Sequence, residues 1–221
     1  VITEAAGLHW DVDPDSGDSV GPSHEDHLTE GVLGLIPPGG TFLDVGAHVG
    51  HYAIRAARVA AWVIAIEANP DTAERLRRNR ELNRIKNLTV FTIAAWDSEG
   101  YLGMENPLPR VRSGMERVHR GKQDPSWLTV QCRPLDAILG SLTALDVVKI
   151  DTEGAEPQVL AGLAGTIARL RPAFLFIEDH SLIDYYPRIV LNDAIRKLNY
   201  DWEEAGQHGQ ARYLLCQPRK G

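Results

Sequence analysis

Short apolar runs alternate with stretches of helical periodicity along most of this chain. The runs at 41–45, 62–67, 88–93, 145–150 and 173–177 are almost continuously hydrophobic, as expected of strands covered on both faces. Between them, the patterns at 49–59, 71–82, 157–170 and 191–198 read as helices, and a further helix is expected to run to about residue 35, with Ser23 and Asp26 as its capping box. Pro70 suits the first position of the helix over 71–82. Strands alternating with helices predict an α/β fold with a mostly parallel sheet. Two last strand-like stretches, 200–203 and 212–216, flank the glycines at 206–209 and predict a closing antiparallel hairpin. An extra strand is expected at 128–133. Residues 1–22, rich in Asp, Gly and Ser, read as an irregular lead-in, and 96–127 loses periodicity and gathers Gly, Pro and charge. Irregular segments of that length in compact domains are usually functional, so 97–130 is expected on the substrate side and 1–35 as a lid.

The first strand ends in Asp44-Val-Gly-Ala-His-Val-Gly50. Gly46 and Gly50 let the backbone approach a ligand closely. Their G-x-x-x-G spacing lacks the middle glycine of G-x-G-x-x-G, which seats a pyrophosphate at a helix N-terminus. A nucleoside cofactor without phosphate fits better, and S-adenosylmethionine (SAM) is the candidate. The second strand ends in Glu67, about twenty residues beyond the glycine turn, where a carboxylate can accept both ribose hydroxyls.

Acids also end the later strands: Asp151-Thr-Glu-Gly-Ala-Glu156 after the fourth and Glu178-Asp179-His180 after the fifth. In an open parallel sheet these strand ends face the ligand crevice. Two readings follow for Asp151, Glu178 and Asp179. They hold a hard cation such as Mg²⁺, which would lower a substrate hydroxyl's pKa, or Asp151 touches cofactor or substrate while Glu178 and Asp179 cap the next helix or bind Lys149 and Arg171. For the general base, His180, Glu153 and Glu156 are the candidates. Trp96, Trp127, Tyr185 and Tyr186 offer an apolar substrate wall, or ordinary core.

At 221 residues one domain is expected. The formal net charge of −7 and the lack of a basic stripe argue against a nucleic-acid substrate. The one dense basic stretch, from Arg75 to Lys86, reads as a solvated helix face. Cys132 and Cys216 lack metal spacing and read as buried thiols of a reducing compartment. No run approaches a membrane span and no signal-peptide pattern opens the chain, so a cytoplasmic protein without membrane partners is expected. The chain opens on Val1, which leaves open whether native residues precede it. Oligomeric state is also left open.

Taken in order, Phe42-Leu-Asp-Val-Gly-Ala-His-Val-Gly50, Glu67-Ala-Asn-Pro70, Ala94-Ala95, Asp97-Ser-Glu-Gly100, Leu135-Asp136, Val148-Lys-Ile-Asp-Thr-Glu-Gly-Ala-Glu156, Arg171-Pro172 and Ile177-Glu178 resemble the FkbM-type SAM-dependent methyltransferases. The K-I-D-x-E-G-x-E stretch is the most specific part. The resemblance implies a Rossmann-like class I methyltransferase fold, a seven-stranded sheet. It implies that Asp44, Gly46, Ala47, His48 and Gly50 hold the methionine end of SAM, Glu67 the ribose, and Ala68, Asn69, Ala94 and Ala95 the adenine region. It further implies O-methylation of a small molecule such as a sugar, a polyketide or another secondary metabolite, with Asp151, Glu178 and Asp179 similar to the Mg²⁺ ligands of catechol and macrolide-sugar enzymes. Where some of those enzymes carry a Lys or His as base, this chain has Gly154, and His48 replaces the Asn common in the family's glycine turn. The catalytic candidates are therefore Asp151, Glu153 and His180. The competing readings are an N-methyltransferase or macromolecule methyltransferase, which the absence of an Asn/Asp-Pro-Pro-Tyr/Phe run disfavours, a noncatalytic SAM-binding module, and an NAD-linked oxidoreductase, which the missing glycine disfavours.

Overall fold

The apolar runs become strands, and a computed structural model describes residues 1–11, 26–105, 117–121, 124–183, 186–208 and 211–220. In chain order the elements are β1 (Ile2–Ala5), β2 (Leu8–Asp11), α1 (Asp26–Gly34), β3 (Thr41–Val45), α2 (His51–Ala56), β4 (Trp62–Glu67), α3 (Pro70–Leu82) and β5 (Leu88–Thr92). Then come β6 (Ala94–Ala95), β7 (Gly100–Met104), β8 (Val118–His119), β9 (Leu128–Arg133), α4 (Leu135–Ile138) and β10 (Val147–Ile150). The chain continues through α5 (Glu156–Gly162), α6 (Ala164–Leu170), β11 (Phe174–Asp179), a 3-10 turn (His180–Ile183), α7 (Arg188–Lys197), β12 (Tyr200–His208) and β13 (Ala211–Pro218).

Seven strands form the main sheet in the order β12-β13-β11-β10-β3-β4-β5. All neighbours are parallel except β13, which runs antiparallel to both β11 and β12. The expected closing hairpin is present, but its second strand lies inside the sheet. The strand order reverses between β3 and β10, so the crevice expected of such sheets opens at the carboxyl ends of these two strands. Every residue of β3 and β10 is buried, and apolar clusters cover both faces.

Three expectations change. Residues 1–22 are not all irregular: β1 and β2 pair antiparallel through Ala6 and Gly7, both at positive φ as a two-residue hairpin turn requires. Trp10 of this hairpin is fully buried. Asp11 accepts from Arg78, and its carbonyl accepts from Arg75. Arg77 donates to Thr92 and Arg80 to the Leu88 carbonyl. Within the solvated basic face, Arg75, Arg77, Arg78 and Arg80 thus also tie α3 to its neighbours, while Arg84 and Lys86 are exposed.

Second, the aperiodic segment after β5 holds strands. β6, β9, β7 and β8 form a separate four-stranded sheet, which takes in the extra strand expected at 128–133. Third, the helix expected over 157–170 is two helices. Gly162 packs against the backbone just after β6 so closely that a Cβ there would lie 2.0 Å from the Trp96 carbonyl oxygen. The helix breaks at Leu163, and Asp136 caps α6, accepting from Gly165 N at 2.8 Å and Thr166 N at 2.6 Å. That contact explains the Leu135-Asp136 pair. The Ser23 half of the capping box and Tyr185 lie outside the described residues. Among the described residues, no helix is long and apolar enough to cross a membrane.

Candidate active site

β3 delivers Asp44 to the crevice and the chain then turns sharply. Gly46 N and Ala47 N both donate to the Ile66 carbonyl, at 2.9 and 3.0 Å, which pins the turn to β4. Gly46 has φ 78°, and a Cβ on it would lie 1.7 Å from the Asp151 carbonyl oxygen, so only glycine fits. The G-x-x-x-G turn thus brings the ends of β3 and β10 into contact.

Glu67 closes the other side. Its two carboxylate oxygens accept from His48 N and Asn69 N, each at 2.8 Å, and it is mostly buried. These contacts orient the carboxylate at the strand end. The Asn69 side chain caps α3, accepting from Asp71 N and Thr72 N. Ala94 and Ala95 are buried in β6 beside Glu67, because Ile93 N donates to the Glu67 carbonyl at 2.9 Å. Ala68 is half-buried next to them.

His48 sits at φ 51°, a left-handed conformation that asparagine accepts more readily than histidine. His48→Asn is expected to raise stability by up to about 1 kcal/mol, read in urea denaturation. A loss of stability would show that the imidazole, not the backbone, is what matters there.

Asp44 is fully buried, and among the described residues neither of its carboxylate oxygens finds a hydrogen-bond donor. Lys149 Nζ lies 3.5 Å from Oδ1. Burial pushes the Asp44 pKa up to about 6, against the pull of Lys149 and with a push from Asp151. A buried acceptor with open lone pairs calls for a donor from a ligand. The turn, Asp44 and Glu67 together fit a nucleoside-amino-acid cofactor of the SAM type.

The second half of the site is an acid-rich cluster around one imidazole. His180 is 2% exposed, and its Nδ1 lies 3.0 Å from Glu156 Oε1. Its Nε2 faces Glu153 at 3.5 Å, Glu178 at 3.6 Å and Asp151 at 4.0 Å. Burial alone would lower the His180 pKa, but the hydrogen bond and charge of Glu156, with Asp151 and Glu153, raise it to about 10. The ring is an imidazolium at neutral pH and supplies the positive charge that so many carboxylates need. Burial disfavours ionised Asp151 as well, yet Lys149 and His180 hold its pKa below the usual range. Glu153 behaves oppositely: burial first, then the Asp151 charge, raise its carboxyl to about 8. It also sits at φ 52°, a strained conformation of the kind found at functional sites.

Glu156 is not available as a base. Its Oε1 accepts from Thr152 N, Thr152 Oγ1 and Gly154 N as well as facing His180, and its Oε2 accepts from Tyr186 OH at 3.0 Å. It is a fully buried hub that shapes the 152–154 loop.

The expected trio of Asp151, Glu178 and Asp179 does not assemble. Side chains alternate along β11, so Asp179 turns away from Glu178 and pairs with Arg212 of β13, while accepting from Ser181 N and lying 3.3 Å from Tyr186 OH. Asp179 thus braces the 3-10 turn at Ser181 rather than the next helix, with Arg212 in place of Arg171 as its partner. His180 takes the vacated place: donor atoms of Asp151, Glu178 and His180 lie within 4.8 Å of one another. Alternation at 178–180 was the signal that could have found this. Lys149, whose role in the site sequence reasoning missed, was marked by being a charge inside an otherwise apolar strand.

The aromatic candidates separate. Trp96 is buried in the core, Tyr186 belongs to the Glu156 network, and Trp127 stacks on His119 at 4.7 Å. Trp127 and Tyr101 help line a groove of about 570 Å³ on the small sheet, which none of the acid-cluster residues lines.

Residues 44–208 match the model of the methyltransferase FkbM domain. The hexuronic acid methyltransferase AglP of Haloferax volcanii is 29% identical over 72% of the chain and 66% of its own length. A tRNA (guanine(37)-N(1))-methyltransferase of Danio rerio is 30% identical over 41% of the chain and 19% of its own length. The chain therefore spans less than two thirds of the length of these curated relatives. Among solved structures, precorrin-6y C5,15-methyltransferase from Geobacter metallireducens aligns with a TM-score of 0.56 and 15% identity, covering 90% of both chains. That likeness shows a shared class I methyltransferase fold.

Proposed function

We propose, from the premise that this chain belongs to the methyltransferase FkbM domain family, that it methylates a hydroxyl of a small polyhydroxylated molecule such as a sugar, using SAM. The observation that carries this reading is Glu153, a strained carboxyl with a raised pKa, set beside Asp151 and charged His180 at the mouth of the glycine turn. When bound, SAM supplies a methyl group on a positively charged sulfur. Asp44 answers its donors, Glu67 its ribose hydroxyls, and the alanines of β6 give it an apolar wall.

Glu153 would accept the proton of the acceptor hydroxyl as that oxygen takes the methyl group and the electron pair of the broken methyl–sulfur bond stays on the departing thioether. Its raised pKa makes it a better proton acceptor than an ordinary carboxylate. Asp151 and Glu178 orient the acceptor by accepting hydrogen bonds from its neighbouring hydroxyls, and His180, held charged by Glu156, steadies the negative charge that develops on oxygen. His180 acts as an electrostatic partner rather than the base.

A small sugar-like acceptor accords with the hexuronic acid methyltransferase relative. A tRNA acceptor, which the second relative's name suggests, accords poorly with a net charge of −7 and with α3 arginines engaged in the fold. The aromatic groove at Tyr101 and Trp127 offers a surface for the more distant part of the acceptor.

A divalent cation is a second reading, favoured by the approach of Asp151, Glu178 and His180. An imidazole among the donors suits Mn²⁺ or Zn²⁺ better than Mg²⁺, so the Mg²⁺-assisted version needs waters in place of Asp179.

Calorimetric titration with SAM and S-adenosylhomocysteine, each with Mg²⁺, Mn²⁺ or a chelator, tests both readings. Binding on the order of micromolar Kd is expected for both ligands, followed by methyl transfer to a panel of glycosides. No binding under any condition would remove the methyltransferase reading. Transfer that a chelator leaves unchanged would remove the cation.

A further inference from the structure

We infer that Lys149 is a positioning residue of the cofactor site that fixes the glycine turn and, by its charge, sets the site's preference between SAM and S-adenosylhomocysteine. The inference rests on the SAM reading above.

Lys149 is the one charged residue of β10, and it is only 4% exposed. Parallel pairing in register sets it directly beside Asp44 of β3. Its ammonium donates to Asp151 Oδ2 at 3.0 Å and to the Gly46 carbonyl at 3.1 Å, with Asp44 Oδ1 at 3.5 Å. The Tyr52 ring lies 5.1 Å below it. A compact ammonium has three donor directions: the Asp151 and Gly46 oxygens take two, and Asp44 stands at ion-pair distance. Burial works against the charged form, but the two carboxylates keep it charged, well above its ordinary range.

Two consequences follow for a ligand in the crevice. The Gly46 carbonyl cannot swing, because the side chain of the neighbouring strand holds it. The ammonium also offsets one of the two carboxylates beside it, Asp44 and Asp151, in a cluster where Glu153, Glu178 and His180 stand close to Asp151. SAM carries a sulfonium, whereas S-adenosylhomocysteine carries a neutral thioether and otherwise the same groups. One unit of site charge therefore moves SAM affinity far more than S-adenosylhomocysteine affinity, on the order of tenfold for charges about 10 Å apart at an effective dielectric of about 20.

The test compares three folded proteins by calorimetry with a chelator present. Asp151→Asn removes one negative charge, so its preference for SAM is expected to fall on the order of tenfold from that of the unmodified protein. Lys149→Met combined with Asp151→Asn removes one charge of each sign, so at a pH that keeps Asp44 ionised the SAM preference is expected to recover. The same double variant loses the Gly46 tether, so its S-adenosylhomocysteine affinity is expected to fall on the order of tenfold below that of Asp151→Asn. Equal losses for both ligands would reduce Lys149 to a structural residue and overturn the inference, as would an unchanged double variant. If the double variant does not fold, Lys149→Arg keeps the charge and disturbs the tether. Both affinities should then weaken with the ratio held, and a changed ratio would overturn the inference. Absence of binding to the unmodified protein would overturn the SAM reading itself, whereas binding with an unmoved ratio overturns only the role of Lys149.

Discussion

Glu153→Gln is expected to lower the rate of methyl transfer by roughly 10²–10⁴-fold while leaving SAM affinity nearly unchanged. The amide keeps the shape of the side chain and loses its basicity. It faces His180 Nε2 across 3.5 Å and sits among carboxylates, so the neutral amide also relieves some repulsion and the fold is expected to hold. Because Glu153 must be ionised to take a proton and its pKa is raised to about 8, the rate should climb with pH to about that value and then level. The variant should lose that rise. A pH profile of kcat with the unmodified protein and the variant makes the check, and a variant that keeps both rate and rise would assign the proton to another group.

Glu156→Ala is the change expected to damage stability most, by about 3–5 kcal/mol in urea denaturation at neutral pH. The substitution strips the partner from a buried imidazolium, leaves two loop amides without their acceptor and leaves the Tyr186 hydroxyl with the longer contact to Asp179. The pH dependence gives a second signature. The folded pKa of His180 is raised from 6.5 to about 10, so its contribution is fully present below about pH 6.5 and is lost as pH rises through about 10. Stability of the unmodified protein should decline over that window. In Glu156→Ala the decline should be much shallower, and an equal decline would mean that Glu156 does not hold the proton on His180.

The parts of this site that lie along single strands were legible in the sequence. A buried parallel strand is almost all apolar, so its last residue stands out, and the fold places the ends of β3, β4, β10 and β11 on one side of the sheet. Asp44, Glu67, Asp151 and Glu178 could be read that way. What escaped depended on the direction of side chains or on contacts between distant segments. Asp179 looked like a partner of Glu178 because it follows it, yet successive strand residues face opposite ways. Glu156 looked like a base until five polar contacts converged on it. The break between α5 and α6 arises from the approach of Gly162 to the Trp96 backbone, a contact between residues 66 positions apart in the chain. The hairpin of β1 and β2 was hidden because its Ala-Gly turn lacks the Asn or Asp that usually marks one.

The place of β13 bears on when the site comes into being. In chain order it follows every other strand of the main sheet, yet it sits between β11 and β12 and carries Arg212 to Asp179. On a ribosome, β3, β4, β5 and β10 are all made before the residue that neutralises Asp179. Until Arg212 arrives, the acid and the neighbouring Tyr186–Glu156 pair lack their brace, and β11 presents an open edge to other chains. Completion of the acid cluster thus waits on the last strand to enter the main sheet, so the glycine turn can form well before the carboxylates beside it are braced.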